Sequence, residues 1–440
     1  MNACGALRSI VSDNRAGRAR GVTAWCTAHP QTLGAILRRH RDSDDPILIE
    51  ATCNQVNQHG GYTGMTPARF RTFIEGLATQ EGVDASRIIL GGDHLGPNPW
   101  KRRPAAEAMT EAREMVRAYV EAGFDKIHLD ASMACADDRM LSESVMAERA
   151  AELCATAESA RGTREIVYVI GTEVPVPGGE TEALDALAVT RPEAAARTLY
   201  LHRAAFARRG VGDAMGRVIG LVVQPGVDMN NIQVFAFDRA KAAALGAAVR
   251  DIPGIIYEAH ATDFQTETAL GDLVASHFGI LKVGPSLTFA FREAVVAMAA
   301  IEERLNLAER SDILAAIAAA MDKDPGHWRA YVAADERQEM MKLYGLSDRI
   351  RYYWPDPKVE AALKLLLANI DSARVPLGLA SQFVGQMLFD DRTTPLSERI
   401  IQTKVDAVVE RYRRACASPS GGVADFAKPE PPRRDESVMI

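Results

Sequence analysis

Short apolar runs, many of them rich in β-branched residues, alternate along this chain with longer stretches in which apolar residues recur every three or four positions. The runs at 21–26, 46–52, 87–93, 125–131, 164–173, 217–224, 252–260 and 279–286 predict strands. They read as parallel strands covered by helices on both faces, which is why both alternating faces are largely apolar. The stretches at 30–42, 67–81, 104–122, 142–160, 191–209, 238–250 and 266–277 predict helices. Pro67, Pro104 and Pro192 stand near the starts of three of them, where a missing N–H costs nothing.

Strand and helix in strict alternation predict an α/β chain folded as a (β/α)8 TIM barrel over residues 1–300. An open doubly wound sheet is the competing architecture. It would carry a glycine-rich turn after one strand, and no Gly-x-Gly-x-x-Gly follows any predicted strand. Residues 301–416 read as a helical C-terminal region packed on the barrel, interrupted at Asp324-Pro325-Gly326 and at Tyr352-Tyr353-Trp354-Pro355. Residues 417–440 are Ser, Gly, Pro and charge, a composition that cannot bury enough surface to order itself and predicts a disordered tail.

Composition narrows the function classes. A net charge of −7 over 440 residues offers no basic footprint for nucleic acid. No apolar stretch is long enough to cross a bilayer, and residues 1–20 lack the apolar core of a signal peptide, so a cytoplasmic location is expected. The six cysteines are scattered without a Cys-x-x-Cys pair and read as reduced, buried thiols.

Barrel chemistry gathers at the C-terminal ends of the strands. Those ends carry Cys26 and His29, then Asn54 and Gln55, Asp93-His94, His128 and Asp130, Glu173, Gln224, Glu258 and His260 followed by Asp263, and Lys282 with Ser286. Two imidazoles and a carboxylate (His94, His260, Glu173) form a set suited to zinc or manganese, with open positions for substrate oxygens. A strand-end histidine taken singly is more often a hydrogen-bonded turn; it is the set that points to a metal. His128 and Asp130 share a strand face, and Asp130 reads as functional with His128 one layer down as structure. Lys282 and Ser286 lie where barrels often hold phosphate. His59, His202, His277 and His327 read as residues without a site role. Arg349, Arg351, Tyr352 and Tyr353 read as helix-packing residues, with part of a substrate lid as the alternative.

The segments 50–65 (Glu-Ala-Thr-Cys-Asn-Gln-Val-Asn-Gln-His-Gly-Gly-Tyr-Thr-Gly-Met), 91–97 (Gly-Gly-Asp-His-Leu-Gly-Pro), 171–175 (Gly-Thr-Glu-Val-Pro), 257–260 and 349–355 make this chain resemble the GatZ/KbaZ family of tagatose-bisphosphate aldolase subunits, from Val22 to about Cys416. That family is similar in turn to class II fructose-bisphosphate aldolases, which are metal-dependent barrels. The resemblance implies that Asp93 acts at the 4-hydroxyl of a phosphorylated ketohexose. It also implies that His94, His260 and Glu173 hold the divalent metal. Where those aldolases carry a histidine near the end of the sixth strand, this chain has Gln224, a weaker ligand. Asn54, Gln55, Lys282, Ser286 and Asp263 are the expected substrate and phosphate contacts, with Asp93, Glu173 and Asp130 catalytic. The implied role is a metal-dependent tagatose 6-phosphate 4-epimerase of galactitol catabolism, working by cleavage and re-formation of the C3–C4 bond. The alternative is a non-catalytic subunit that stabilises a separate aldolase. A kinase role is disfavoured, because no Gly-x-x-x-x-Gly-Lys-Ser/Thr loop occurs. Expected partners are the sugar phosphate, an aldolase subunit and further copies of the chain.

Overall fold

In the computed structural model, which describes residues 2–172, 187–385, 388 and 393–417, the eight apolar runs pair in parallel into one closed barrel. The strands are β1 (Val22–Trp25), β2 (Ile47–Thr52), β3 (Ile88–Leu95), β4 (Lys126–Leu129), β5 (Val167–Ile170), β6 (Val218–Val222), β7 (Ile256–Ala259) and β8 (Phe278–Val283). Each pairs with its sequence neighbours, and β1 closes on β8 through Val22↔Ile280 to Trp25↔Val283. The expected last strand overran its true end. Pro285 already starts a helix, since its fixed φ and missing N–H suit a first turn, so Ser286 is helical rather than extended.

The helices are α1 (Ala3–Arg15), α2 (Pro30–Arg39), α3 (Pro67–Glu81), α4 (Ala105–Glu121), α5 (Glu143–Ala160), α6 (Pro192–Arg208), α7 (Arg239–Ala248), α8 (Glu267–Ala275), α9 (Pro285–Glu302), α10 (Ile313–Lys323), α11 (Gln338–Tyr344), α12 (Pro357–Ser372), α13 (Leu377–Val384) and α14 (Leu396–Cys416). Helices α2 to α8 ring the barrel. No helix among the described residues is long and apolar enough to cross a membrane.

Two helices were not foreseen in their places. In α1, Cys4, Leu7, Ile10, Val11 and Asn14 fall at helical spacing on one buried face, and Asn2 caps the first turn by accepting from the Gly5 N–H at 2.7 Å. That face meets Leu48, Ile89, Val167, Ile219, Ile256 and Ile280, so α1 stoppers the N-terminal end of the barrel. At the other end of the chain, α14 packs between α8 and α2 and against β1. It is bonded there by Gly21 N–H to Cys416 O at 3.0 Å and Tyr412 O–H to Thr262 O at 2.7 Å. It therefore occupies the eighth place in the helical ring. The division expected at residue 300 falls inside α9. The 3₁₀ turn Arg349–Tyr352 and α12, from the segment between α9 and α14, supply residues that cover the opposite, C-terminal mouth. The tail expected over 417–440 lies, beyond Ala417, outside the described residues.

Candidate active site

Consecutive residues of a strand point to opposite faces, yet Asp93 and His94 both reach the barrel interior. A bulge makes this possible. β3 pairs with β4 through Gly92↔Ile127 and next through Leu95↔Leu129, which leaves one extra residue on β3. His94 takes up the slack in the left-handed region at φ 51°. The result is that Asp93 Oδ1 meets His128 Nδ1 at 2.9 Å, while His94 Nδ1 meets Asp130 Oδ2 at 2.7 Å. Gly91 is needed for a different reason: a Cβ there would lie 2.7 Å from the Glu50 side chain.

Inward-facing positions climb the strands in steps of two, and near the C-terminal ends they are ionisable. On β7 the order is Ile256, Glu258, His260; on β4 it is Lys126, His128, Asp130. Lys126, fully buried, bridges Glu50 at 2.6 Å and Glu258 at 2.7 Å. Burial would drive off its proton, but the two carboxylates outweigh it and hold the ammonium above its ordinary value. Lys282 contacts Asp93 and sits 3.4 Å from Glu50. Burial likewise opposes its charge, and Asp93 foremost reverses that.

Three imidazoles complete the floor of the mouth. The ring centres of His94, His128 and His260 lie 5.2, 5.0 and 5.2 Å apart, nearly an equilateral triangle. Each has a carboxylate on one ring nitrogen: Asp130 for His94, Asp93 for His128, and Glu258 for His260 at 2.9 Å. Burial lowers the His260 pKa well below its usual value, and Lys282 adds to the effect, so the ring is neutral and able to ligate. For Asp93, burial would raise the pKa, but His94, Lys282 and His128 together hold it well below the carboxylate range. Burial would raise the Asp130 pKa as well, but the hydrogen bond and charge of His94 outweigh it and lower it.

This arrangement fits a divalent cation. His128 Nε2 is buried without a hydrogen-bond partner among the described residues. Single ligand atoms from Asp93, His128, Glu258 and His260 all lie within 4.8 Å of one another. Two ammonium groups (Lys126, Lys282) face four carboxylates (Glu50, Asp93, Asp130, Glu258), which leaves an excess of two negative charges when the imidazoles are neutral. Carboxylates on the outer ring nitrogens are what orient histidines toward a metal.

Above the floor opens a cavity of about 560 Å³ lined, among others, by Asn54, Gln55, Asp93, His94, His260, Asp263, Lys282, Arg351 and Tyr352. Asn54 and Gln55 thus stand where the sequence placed them. Gln55 is partly committed, accepting from Thr52 N–H at 2.9 Å. Gln224 is not among the lining residues; its Oε1 accepts from Gly226 N–H at 2.7 Å and Val227 N–H at 3.0 Å, so the amide oxygen expected as a ligand serves its own turn. The phosphate expected on Lys282 and Ser286 meets a different arrangement. Lys282 faces carboxylates, and the Ser286 N–H donates to Asp263 Oδ1 at 2.8 Å. Glu173 lies outside the described residues. His128, read as structural, belongs to the imidazole floor. Glu50 and Lys126 were not singled out, because a charged residue inside an apolar run carries no strand-end signal; Glu258 was named at its strand end but given no role. Arg351 and Tyr352 line the cavity instead of packing helices. His202 is buried in α6 on Thr198 O, and His59 pairs with Glu111, both away from the mouth.

A family model described as D-tagatose-1,6-bisphosphate aldolase subunit GatZ/KbaZ-like matches residues 7–417. A Salmonella newport protein named D-tagatose-1,6-bisphosphate aldolase subunit GatZ is 47% identical over 93% of this chain and 99% of its own length. Its Salmonella enteritidis counterpart of the same name is also 47% identical over the same shares. A solved structure from Sinorhizobium meliloti 1021, titled a probable tagatose 6 phosphate kinase, is 44% identical and superposes with a TM-score of 0.82, covering 90% of this chain and 100% of that one.

Proposed function

Because this chain belongs to the GatZ/KbaZ-like family of D-tagatose-1,6-bisphosphate aldolase subunits, we propose that it serves tagatose phosphate metabolism as the partner of a separate, catalytic aldolase chain. The observation that carries this reading is similarity along the whole barrel and its closing helix to proteins named as subunits. Co-expression with a tagatose-bisphosphate aldolase catalytic chain tests it. Co-elution and a longer half-life of aldolase activity are expected; separate elution with an unchanged half-life defeats it.

The intact imidazole floor favours a second reading, in which this barrel does chemistry of its own as a tagatose 6-phosphate 4-epimerase. A partner that only stabilises another protein has no need of three carboxylate-backed histidines under a cavity. The proton at C4 of a 2-ketose is not acidic, so inversion there requires the C3–C4 bond to break. The 4-hydroxyl gives up its proton, O4 becomes a carbonyl oxygen, and the bond pair moves to C3 and into the C2 carbonyl. Attack of C3 on the opposite face of the aldehyde re-forms the bond, and O4 recovers its proton.

His128 and His260 would hold a divalent ion with Glu258 beside them, and His94, oriented by Asp130, would add a further imidazole from the edge of that group. Such an ion, when bound, supplies Lewis-acid polarisation of a ketose carbonyl. Asp93, kept ionised, accepts the 4-hydroxyl hydrogen bond and receives its proton once the bond begins to break. Asn54 and Gln55 orient hydroxyls along the cavity wall. Purified chain alone, given tagatose 6-phosphate with zinc or manganese, should form fructose 6-phosphate and leave no deuterium at C4 in heavy water. No product with either metal, or deuterium at C4, refutes this reading.

A further inference from the structure

Two groups of side chains among the described residues bring metal-ligand atoms within 4.8 Å of one another. The first is Asp93, His128, Glu258 and His260 of the floor. The second is Cys26, just after β1, with Glu50 of β2 and Asp93 of β3. Asp93 belongs to both, and a carboxylate with two oxygens can serve two cations at once. That is the donor pattern of a paired-cation centre, in which two positive charges act on one ligand.

The second position already holds a cation. The Lys282 ammonium contacts Asp93 Oδ2 and lies 3.4 Å from Glu50 Oε2. Cys26 S–H donates to that same Glu50 oxygen at 3.6 Å. The other oxygens of the two carboxylates are engaged elsewhere, Asp93 Oδ1 by His128 at 2.9 Å and Glu50 Oε1 by Lys126 at 2.6 Å. Lys126 makes the contrast. It too is a buried ammonium between two carboxylates, Glu50 and Glu258, but it is not among the residues that line the cavity. Cys26, Asp93 and Lys282 all line it, so a dissolved ion could reach their position if the ammonium were gone.

We propose that Lys282 is the built-in second cation of this centre: its ammonium fills a cation position formed by Cys26, Glu50 and Asp93, so that the chain takes one divalent ion, at the imidazoles, where its donor atoms could seat two. This rests on reading the imidazole floor as a metal site. A tethered ammonium delivers its charge at every metal concentration and takes no ligand oxygen into a coordination shell. The centre then has one Lewis acid with a fixed charge beside it. Shortening the Lys282 side chain opens the second position. A soft ion such as cadmium enters it, and the Cys26 S–H proton goes to solvent as the sulfur binds as thiolate.

Cadmium titration of the full chain, read by bound metal after gel filtration and by ultraviolet absorption, tests this. The wild-type chain should bind one ion and show no thiolate-to-cadmium charge-transfer band. Lys282→Ala should bind two, the second with that band, and adding Cys26→Ser should return it to one without the band. Lys282→Met, which removes the charge and keeps the bulk, should stay at one. Lys282→Ala should also melt below the wild-type chain in EDTA and regain that loss with cadmium. Two ions on the wild-type chain, or a thiolate band there that Cys26→Ser abolishes, overturns the proposal and leaves the imidazole floor as a metal site. A single ion on Lys282→Ala, or a loss of its fold that cadmium does not repair, overturns it equally. A wild-type chain that binds neither cadmium, zinc nor manganese removes the metal reading of the floor, and the proposal with it.

Discussion

The two ends of this barrel are made from the same eight strands and treat water in opposite ways. At the N-terminal end, Leu48, Ile89, Val167, Ile219, Ile256 and Ile280 meet the apolar face of α1, and the contact is dry packing. Two residues further along β2, β7 and β8, Glu50, Glu258 and Lys282 are buried too, and with Lys126 of β4 they are charges paired with charges. The difference teaches where each end spends its stability. The stoppered end gains from removing apolar surface from water. The open end carries a buried ion network that well-packed apolar residues could replace at no loss of stability. Its retention points to the site above it.

Breaking the network at one point should show the largest effect. Lys126→Met strands Glu50 and Glu258 without a counter-charge and should cost ~3–5 kcal/mol in urea unfolding. Replacing all three together, Glu50→Leu with Lys126→Met and Glu258→Leu, should recover most of that loss while weakening zinc binding. A triple variant no more stable than the single one would mean that the network is a net stabiliser. At the other end, Leu7→Ala should cost ~2–4 kcal/mol through a cavity under α1 and leave zinc affinity unchanged. A change in zinc affinity there would show that the ends communicate.

A control outside both ends comes from His40 and His202, each lowered to about 4 by burial. A base whose folded pKa lies below its unfolded one binds fewer protons when folded. Its contribution is therefore whole above pH ~6.5 and is lost as pH falls toward 4. Unfolding free energies from urea titrations should fall accordingly, by up to roughly 2 kcal/mol for each ring at pH 5. Double replacement by asparagine should flatten the profile between pH 7 and 5. The smallest expected effect sharpens the open end alone. Asp130→Asn should weaken zinc affinity by about 10- to 100-fold with little change in metal-free stability. Unchanged affinity would remove His94 from the ligand set.

The barrel was legible because each strand is an apolar run that ends in a polar residue, and Asp93-His94 announced itself by that rule. Depth was not legible. Period two puts His128 directly beneath Asp130, and nothing in a linear pattern says whether the lower of two residues reaches a site. The bulge on β3 was hidden for the same reason, since adjacency in sequence implies opposite faces and only the extra residue cancels that. Glu50 and Lys126 each look like an interruption of a strand until they are laid beside Glu258 of β7. Helix α1 carries an apolar stripe, but Arg8 and Arg15 lie in the same stretch and no strand precedes it to frame it within the β/α alternation. Arg351 sits beside three aromatic residues, and the packing they suggest masked its place in the cavity wall.

The position of α14 carries a consequence for how the chain is made. The helix that covers the seam between the first and last strands is drawn from the final segment before Ala417, nearly four hundred residues after β1 has left the ribosome. The first barrel strand must wait until residues 396–416 have been made for its cover, with its contacts among the most distant in sequence. During synthesis the unfinished cylinder exposes that seam, a natural place for a chaperone to hold. A truncated message would yield a barrel that lacks its last stave.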